Sequence, residues 1–287
     1  MKLKYICLAL VLVVSTGIFA QKKIVILHTN DTHSRIEALP PTDSKYPNTA
    51  GVVNRKAVID SIKAIYGNVL LLDAGDFVQG TPYFNLFKGR AEADMMNYLK
   101  YDAATIGNHE FDYGLDTMKM IFERLNFPIV NCNYDFSKTV LKDVVKPYTI
   151  LKKFGLKIGI VGVGADPKGL IQEDKYEGMT FLPIIESTNK YAEMLKNKEK
   201  CDMVICLSHI GFSLHPNQEA SGASTVIDQE LAQKSRNIDL IIGGHSHTYM
   251  QHPVYEKNMD GKDVMIFQCG KNATYIGKIE VELDKIK

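Results

Sequence analysis

Short apolar runs alternate with amphipathic helical repeats along most of the chain. The runs are rich in Val, Ile and Leu, which is typical of buried β-strands. They cover residues 24–27, 69–72, 103–106, 128–130, 157–163, 203–207, 238–242, 264–268 and 275–281. Apolar positions at helical spacing predict helices at about residues 52–65, 91–99, 118–125 and 187–197. Strands that alternate with helices in this way predict the α/β class.

Three polar segments between these elements are longer than ordinary connections. They are residues 40–49, 166–183 and 212–225, and each contains Gly, Pro or Ser. Long loops in a compact domain are often functional. We therefore expect these segments to form the rim of a site.

The composition is that of a folded globular protein. Of the 287 residues, 45% are hydrophobic and 23% are charged, fractions that argue against a disordered chain or a membrane bundle. The formal net charge is +1, and the chain has no run of basic residues. Since a protein without a basic patch has no electrostatic attraction for a polyanion, we expect no nucleic-acid partner.

The first residues have the order of a secretory signal. Lys2 and Lys4 precede an apolar run over residues 6–20, and Gln21 restores polarity. We expect cleavage after Ala20, which leaves residues 21–287 in a periplasmic or secreted protein. The alternative is an uncleaved anchor, but the run is shorter than the ~20 residues of a spanning helix. We therefore expect no stable membrane insertion after cleavage.

Four cysteines remain in the expected mature chain. They are Cys132, Cys201, Cys206 and Cys269. An even number in an oxidising compartment permits disulfides. Most of them lie in or beside apolar runs, however, and this favours buried free thiols.

Five of the predicted strands end in polar residues that can bind a metal. In α/β sheets, ligands bind at the carboxyl ends of the strands, so these ends should converge on one place. The side chains that follow the five strands are Asp31 and His33, Asp76, Asn108, His209, and His245 and His247.

The types of these residues indicate which metals they would hold. Imidazole, carboxylate and amide oxygen suit divalent Zn or Mn, with Fe as a further candidate, and suit Mg or Ca less well. These seven side chains are more ligands than one tetrahedral ion binds. They predict two ions about 3.5 to 4 Å apart with one bridging carboxylate, the arrangement used for hydrolysis at phosphorus.

The same blocks resemble a known family. Asp31-x-His33, Gly75-Asp76, Gly107-Asn108-His109-Glu110, Ser208-His209 and Gly244-His245-x-His247 resemble the calcineurin-like metallophosphoesterase superfamily. More narrowly, three motifs are similar to the catalytic domain of secreted 5′-nucleotidases and UDP-sugar hydrolases: His28-Thr-Asn-Asp31-x-His33, Gly80-Thr81-Pro82 and Asn108-His109-Glu110-Phe111-Asp112. The resemblance implies a four-layer αββα sandwich, in which two mixed β-sheets pack face to face with helices outside.

The resemblance also implies a role for each site residue. It assigns the first ion to Asp31, His33, Asp76 and His247. It assigns the second ion to Asp76, Asn108, His209 and His245, so that Asp76 bridges. One departure is His247, where these nucleotidases often have Gln.

His109 and Asp112 are expected to act on the substrate. By the resemblance, His109 donates to the phosphate or leaving oxygens and Asp112 fixes the orientation of its ring. The alternative for Asp112 is a helix cap near Gly114.

The remaining polar residues have simpler interpretations. We expect His28 to be a packed histidine, and His215 and His252 to be solvated. Asp73 and Glu110 flank predicted ligands and should make supporting hydrogen bonds.

The resemblance implies hydrolysis of a small phosphate ester, most simply the 5′-phosphate of a nucleotide. One alternative is a phosphodiesterase or pyrophosphatase acting on 2′,3′-cyclic nucleotides or UDP-sugars. Another is a non-catalytic subunit that retains the fold. Family members usually continue into a nucleotide-recognition domain that this sequence lacks, so we expect a separately encoded recognition chain as a partner.

Overall fold

The computed structural model describes residues 23–214 and 226–282. The predictions of a signal peptide at residues 1–20 and of a solvated His215 lie outside the described residues, as does most of the segment 212–225. Within the described residues, no helix has both the length and the apolar character needed to cross a bilayer.

Twelve strands and six α-helices make up the described fold. The strands are β1 (Lys23–Thr29), β2 (Val69–Asp73), β3 (Ala103–Ala104), β4 (Tyr134–Asp135), β5 (Tyr148–Lys153), β6 (Leu156–Gly164), β7 (Thr180–Phe181), β8 (Met203–His209), β9 (Leu240–Gly243), β10 (Val254–Lys257), β11 (Asp263–Phe267) and β12 (Gly277–Glu282). The helices are α1 (Val52–Tyr66), α2 (Pro82–Phe87), α3 (Arg90–Leu99), α4 (Gly114–Arg124), α5 (Ile184–Glu193) and α6 (Asp228–Lys234). A π-helical turn, Met194–Lys198, continues α5.

The strands form two mixed sheets and a small ribbon. The four-stranded sheet has the order β12-β1-β2-β3, with only β12 antiparallel to its neighbour. The six-stranded sheet has the order β10-β11-β9-β8-β6-β5, with antiparallel strands at both edges. Strands β4 and β7 pair by themselves. In each sheet the central strands are parallel, so their carboxyl ends lie on one edge.

Alternation along β1 explains how the layers stack. Ile24 and Ile26 pack into a core that they share with the six-stranded sheet. Val25 and Leu27 point to the opposite face and pack with α1, α3 and α4. Because successive side chains of a strand point to opposite faces, one apolar strand is buried on both sides.

The helices close the outer faces of both sheets. Ile59 of α1 and Met118 of α4 pack on the four-stranded sheet. Ile184 of α5 and Leu231 of α6 pack on the six-stranded sheet. The arrangement is the expected αββα sandwich.

Several predicted elements need correction. The run 103–106 is a strand only at Ala103–Ala104, and the run 128–130 makes isolated bridges at Ile129 and Val130 rather than a strand. The run 275–281 begins pairing only at Gly277, and the run 238–242 only at Leu240. The sequence patterns missed α2, α6 and the strands β4, β5, β7 and β10. These elements are short or lie at sheet edges, where side chains are partly exposed and the apolar pattern weakens.

The cysteine prediction is confirmed. Cys132, Cys201, Cys206 and Cys269 are all buried and free. Burial raises the pKa of the Cys132 and Cys269 thiols to about 12, so these side chains behave as small apolar residues.

Candidate metal centre

All the predicted ligands lie at one edge of the sandwich. Asp31, Asp76 and Asn108 follow strands of the four-stranded sheet. His209 ends β8, and the loop after β9 carries His245 and His247. Backbone hydrogen bonds join the first two loops, from Asp31 N to Gly75 O at 2.9 Å and from His33 N to Asp76 O at 3.0 Å. The sequence prediction that five strand ends converge is confirmed.

Two carboxylates and one imidazole form the buried centre of the cluster. His209 Nε2 lies 3.1 Å from Asp76 Oδ2 and 3.8 Å from Asp31 Oδ1. All three side chains are almost fully buried. Asp31, Asp76 and His209 therefore offer ligand atoms within 4.8 Å of one another.

A second group of ligand atoms lies on the other side of Asp31. His247 Nε2 is 3.5 Å from Asp31 Oδ1 and 3.0 Å from His33 Nε2. Two imidazole nitrogens that face each other beside a carboxylate can both coordinate a cation placed between them. Asp31, His33 and His247 form a further group within 4.8 Å.

Asn108 and His245 complete the cluster beside His209. His245 Nδ1 lies 2.8 Å from Asn108 Oδ1, and the rings of His245 and His209 are 5.2 Å apart. The backbone N–H of His245 donates to both carboxylate oxygens of Asp31 at 3.1 Å. The two sheets are thus joined directly at the site.

The backbone at the site is unusual. Most of the predicted ligands have a left-handed conformation that side chains other than Gly seldom adopt. Such strain clusters at functional sites, where the surrounding structure holds it in place. The residues and their φ angles are Asp31 (49°), His33 (46°), Asp76 (55°), His245 (73°) and His247 (55°).

His209 has the hydrogen bonding of a metal ligand. Its Nδ1 lies 2.7 Å from the carbonyl of Ala74, which fixes the ring with Nδ1–H as donor. Its buried Nε2 has no partner of hydrogen-bonding geometry among the described residues. A histidine ligand is held in the same way, with one nitrogen donating to the protein and the other directed at the ion. The residues present therefore fit a divalent cation.

The electrostatics of the cluster also call for a positive charge. Burial alone lowers the pKa of His209, but Asp76 and Asp31 outweigh it and raise that pKa to about 10. Burial raises the pKa of Asp31 to about 7, against the attraction of His209. Burial alone would raise the pKa of Asp76, but the neighbouring His209 outweighs burial and holds that pKa below its ordinary value. A bound cation would compensate the two carboxylates in place of the imidazolium proton.

His109 and Asp112 form the expected pair at the mouth of the site. His109 Nδ1 lies 3.2 Å from both carboxylate oxygens of Asp112. Burial alone lowers the pKa of His109, but the hydrogen bond with Asp112 and the charge of Asp76 outweigh it and raise the pKa to about 9. Helix α4 has Tyr113 at its N-cap and no side-chain cap, so the capping alternative for Asp112 is wrong.

His109 also lies close to the ligand atoms themselves. Its backbone N–H donates to Asp76 Oδ1 at 2.8 Å, and its ring is 5.5 Å from that of His33. His33, Asp76 and His109 form the third group of atoms within 4.8 Å. His109 therefore lies directly beside the cluster of candidate ligands.

Residues predicted to support the ligands do so. Glu110 accepts hydrogen bonds from the backbone N–H groups of Asp76, Phe77 and Gly107. Asp73 accepts from Thr29 Oγ1 at 2.6 Å and from Gly75 N at 3.0 Å. These bonds hold the loops that carry Asp76 and Asn108.

Two supporting residues were missed by the sequence analysis. Gln268 donates to Gly244 O at 2.8 Å, while its oxygen accepts from Ser246 Oγ and Thr248 N. Asn30 donates to Asp31 Oδ2 at 2.6 Å and to Gly270 O at 2.7 Å. Both are polar residues at the carboxyl end of an apolar run, which is the signal that could have identified them.

The predictions for the remaining histidines are confirmed within the described residues. His28 is fully buried and packs edge-on against Phe267, with ring centroids 5.1 Å apart. His252 is exposed. Neither belongs to a group of residues that could hold a metal.

Comparison with known proteins identifies the family of this fold. Residues 24–249 match the family described as calcineurin-like phosphoesterase. This match covers more than half of the chain and includes every predicted ligand and the His109–Asp112 pair.

Among characterised relatives, the chain is 31% identical to the 5′-nucleotidase of Bos taurus and 30% identical to the snake venom 5′-nucleotidase of Naja atra. The alignments cover 92% and 91% of this chain, but 47% and 50% of the relatives. The chain thus spans about half the length of the relatives it matches.

Solved structures give the same result. The 5′-nucleotidase precursor from Thermus thermophilus superposes with a TM-score of 0.79 at 32% identity, over 90% of this chain and 51% of that chain. The NAD nucleotidase of Haemophilus influenzae superposes with a TM-score of 0.77 at 29% identity, over 90% and 47%.

Proposed function

Since the chain belongs to the calcineurin-like phosphoesterase family, we propose that its metal centre hydrolyses phosphate esters and that the substrate is a nucleoside 5′-monophosphate. The observation that carries the proposal is the convergence of all predicted ligands, from loops of both sheets, around two buried carboxylates. The choice of a nucleotide as the substrate is supported by the relatives named 5′-nucleotidase.

The ligands divide into two sets that share Asp76. Asp31, His33, Asp76 and His247 would hold one divalent ion, and Asp76, Asn108, His209 and His245 the other. This division is supported by the carboxylate of Asp76, which faces both the His33 and the His209 sides of the cluster. Nitrogen and oxygen ligands together favour Zn or Mn, with Fe as a further candidate.

When bound, the two ions supply a water activated for attack and positive charge for the phosphate oxygens. The chain's own residues then orient the ester. Asn108 lies beside His245, with Asn108 Oδ1 2.8 Å from His245 Nδ1, and the side chains of Asp31 and His209 behind them are fully buried.

His109 would act as the proton donor. Asp112 accepts from Nδ1 at 3.2 Å, so Nε2 of the same ring is left to donate to a phosphate or leaving oxygen. Charge builds on these oxygens as the ester bond breaks. The imidazolium of His109, at the edge of the cluster, is placed to neutralise this charge.

A diphosphate substrate is the second candidate. It is favoured by the structural likeness to the NAD nucleotidase of Haemophilus influenzae. The same metal pair would cleave either bond, because the choice between them is made by groups that bind the rest of the substrate.

Phosphate release from AMP by the Mn- or Zn-loaded chain tests the proposal. We expect Asp76→Asn to abolish release, and His109→Gln to lower kcat by about 10²- to 10⁴-fold. The matched control is Asp60→Asn, an exposed carboxylate on α1, which should leave the rate unchanged. NAD and bis(p-nitrophenyl) phosphate serve as the comparison substrates.

The substrates separate the alternatives. Phosphate release from AMP, with no cleavage of NAD or of bis(p-nitrophenyl) phosphate, would support the nucleotidase. Faster cleavage of NAD would overturn the monophosphate in favour of the diphosphate. Equal rates for wild type and Asp76→Asn on every substrate would overturn the phosphoesterase, and two bound ions without turnover would point to a non-catalytic subunit.

We also propose that the protein is exported. The charged, apolar and polar order of residues 1–21 supports this. Mass spectrometry of the chain recovered from the producing cell should find a mature protein that begins at Gln21. Recovery of the intact chain beginning at Met1, in the cytoplasmic fraction, would overturn it.

A further inference from the structure

A buried asparagine lies between Asp31 and the loop that follows β11. Asn30 comes directly after β1 and is almost fully buried. Its Nδ2 donates to Asp31 Oδ2 at 2.6 Å and to the carbonyl oxygen of Gly270 at 2.7 Å. Its Oδ1 accepts from the backbone N–H of Cys269 at 2.9 Å. One side chain thus joins a predicted ligand of the four-stranded sheet to a loop of the six-stranded sheet.

Backbone groups fix the orientation of the Asn30 amide. The N–H of Cys269 can only donate a hydrogen bond, and the carbonyl of Gly270 can only accept one. Oδ1 must therefore face Cys269, and Nδ2 must face Gly270. A reversed amide would place a donor against a donor and an acceptor against an acceptor. The second hydrogen of Nδ2 is consequently left for Asp31 Oδ2.

The thiol of Cys269 reinforces this orientation. Its Sγ lies 3.0 Å from Asn30 Oδ1 and 3.7 Å from the carbonyl oxygen of His28. The shorter contact is with Asn30, and the thiol is buried and free to donate there. The amide then takes part in four hydrogen bonds, two as donor and two as acceptor, which is its full capacity. Rotation of the amide would therefore break several bonds at once.

The two carboxylate oxygens of Asp31 have different surroundings. Oδ2 accepts from Asn30, whereas Oδ1 faces ring nitrogens of the predicted ligands. The N–H of His245 lies 3.1 Å from both oxygens and does not distinguish them. Asn30 is therefore the contact that makes the two oxygens unequal. The nitrogens and their distances from Oδ1 are His247 Nε2 (3.5 Å), His209 Nε2 (3.8 Å) and His33 Nε2 (4.0 Å).

The loop after β11 also holds the backbone of Asp31. The N–H of Asn272 donates to the carbonyl oxygen of Asp31 at 2.7 Å. The N–H of Gly270 donates to the carbonyl oxygen of Thr248 at 3.0 Å, which joins this loop to the loop after β9. Residues 269–272 thus fix the main chain of Asp31 directly and its side chain through Asn30.

We propose that Asn30 is a positioning residue of the metal centre: it occupies Asp31 Oδ2 and keeps Oδ1 directed at the histidine ligands. The inference rests on the proposed function and adds the group that decides which oxygen of Asp31 is presented to an ion. The bond from His245 would not resist rotation of the carboxylate, because it contacts both oxygens at the same distance. Removal of Asn30 should therefore disorder a ligand without removing it.

Metal affinity, measured without turnover, tests the inference. Calorimetric titration of the chelator-treated chain with Zn or Mn should show about 10- to 100-fold weaker binding in Asn30→Ala than in the wild type. The number of ions bound at saturation should stay that of the wild type, because every candidate ligand remains. Asp31→Ala, which removes a ligand, should instead bind one ion fewer.

The matched control is Asn258→Ala. Asn258 is buried, and its Oδ1 accepts from the N–H groups of Asp260 at 2.9 Å and Lys262 at 3.0 Å. It lies in the turn between β10 and β11, at the opposite end of β11 from Cys269. In the absence of metal, scanning calorimetry should show a lower melting temperature for both asparagine variants. Asn258→Ala should nevertheless bind metal within about twofold of the wild type.

A milder pair of variants decides the question if Asn30→Ala does not fold. Cys269→Ala removes the thiol bond to the amide and should weaken metal binding about three- to tenfold. Cys269→Ser keeps a donor at that position and should bind metal more tightly than Cys269→Ala. In that case, equal affinities of the wild type and Cys269→Ala would overturn the role of Asn30.

The outcomes separate this inference from the proposed function. Equal metal affinities of the wild type and a folded Asn30→Ala would overturn the positioning role and leave the phosphoesterase proposal standing. The same holds if Asn258→Ala loses as much metal affinity as Asn30→Ala, because the loss would then reflect stability alone. A wild-type chain that binds no divalent ion would overturn the metal centre, and this inference with it.

Discussion

Glu110 shows how one buried carboxylate can organise two loops. Its oxygens accept hydrogen bonds from Asp76 N at 3.1 Å, Phe77 N at 3.0 Å and Gly107 N at 2.6 Å. The first two groups lie in the loop after β2, and the third precedes Asn108. Buried backbone N–H groups need an acceptor, and here the same side chain serves all three. The positions of Asp76 and Asn108 therefore depend on Glu110.

Glu110→Gln should weaken metal binding while leaving the fold intact. An amide has only one accepting oxygen, and its NH₂ group would face a backbone donor. Loss of such a supporting bond typically lowers metal affinity or activity by about 10- to 100-fold. A calorimetric titration with Zn or Mn checks this. Glu123→Gln, an exposed residue of α4, is the control, and equal affinities for the two variants would contradict the role.

His28 is a buried histidine without a hydrogen-bond partner for either ring nitrogen among the described residues. It is fully enclosed and lies directly against Gly277, its partner on β12. Burial lowers the pKa of His28 to about 3. The folded protein therefore keeps this ring neutral at pH values where the unfolded chain protonates it.

Acid should consequently destabilise the protein through His28. The folded pKa lies below the unfolded value of about 6.5, so the stabilising contribution is complete above pH 6.5 and declines as the pH falls toward 3. The slope is about 1.4 kcal/mol per pH unit. Urea unfolding at pH 7.5 and 5.0 should show a pH dependence about 2 kcal/mol smaller in His28→Leu than in the wild type.

The exposed His252 provides the comparison for this measurement. His252→Gln removes an exposed imidazole instead of a buried one and is the matched control. The role of His28 would be contradicted if His28→Leu and the wild type lost the same free energy of unfolding between the two pH values.

At the scale of elements, two of the three glycines of β6, Gly159 and Gly162, have different neighbours. A Cβ on Gly162 would lie 2.1 Å from the carbonyl oxygen of Val130 and 2.5 Å from Thr105 Oγ1. For a Cβ on Gly159, the three nearest heavy atoms all belong to the side chain of Leu195, at 3.0 to 3.2 Å. Gly162 thus lets the backbone at Val130, beyond the end of β3, lie against the six-stranded sheet.

The two glycines should respond differently to substitution. Gly162→Ala forces a Cβ against backbone and should lower the free energy of unfolding by about 1 to 3 kcal/mol. Gly159→Ala meets a side chain that can change rotamer, and its cost should be smaller. Denaturant unfolding of both variants checks the prediction. Equal losses, or a larger loss for Gly159→Ala, would contradict it.

At the scale of the whole molecule, the metal centre joins the two sheets. Asp31 and Asp76 follow strands of the four-stranded sheet, whereas His209, His245 and His247 come from the six-stranded sheet. A ligand that binds only the folded state stabilises it by mass action. Ions held between the sheets should therefore stabilise their packing as well as the site.

Removal of metal should lower the melting temperature of the entire described fold. Binding at about 100 times the Kd contributes about 2.7 kcal/mol, which corresponds to roughly 5 °C or more for a domain of this class. Calorimetry with and without a chelator measures the change. The Asp76→Asn variant should show a much smaller effect of chelator, and an effect of equal size in both proteins would contradict a site that includes Asp76.

The sequence by itself determined the central strands, the class of fold and which candidate ligands lie together at one edge of the sandwich. Strands β1, β2, β6 and β8 are buried on both faces, so each appears in the sequence as an uninterrupted apolar run. Asp31, Asp76 and His209 lie at or just after the ends of β1, β2 and β8, and parallel strands bring their carboxyl ends to one edge. A local pattern and one topological rule were enough to place Asp31, Asp76 and His209 together.

Only the tertiary structure decided what depends on partners distant in the chain. The edge strands β5 and β10 are partly exposed and are defined by pairing with β6 and β11 rather than by an apolar pattern. Gln268 contacts the loop of His245, and Asn30 contacts Gly270 240 residues away. Such contacts leave no periodicity in the sequence, because a hydrogen bond specifies two groups and a direction, whereas an apolar run specifies only burial.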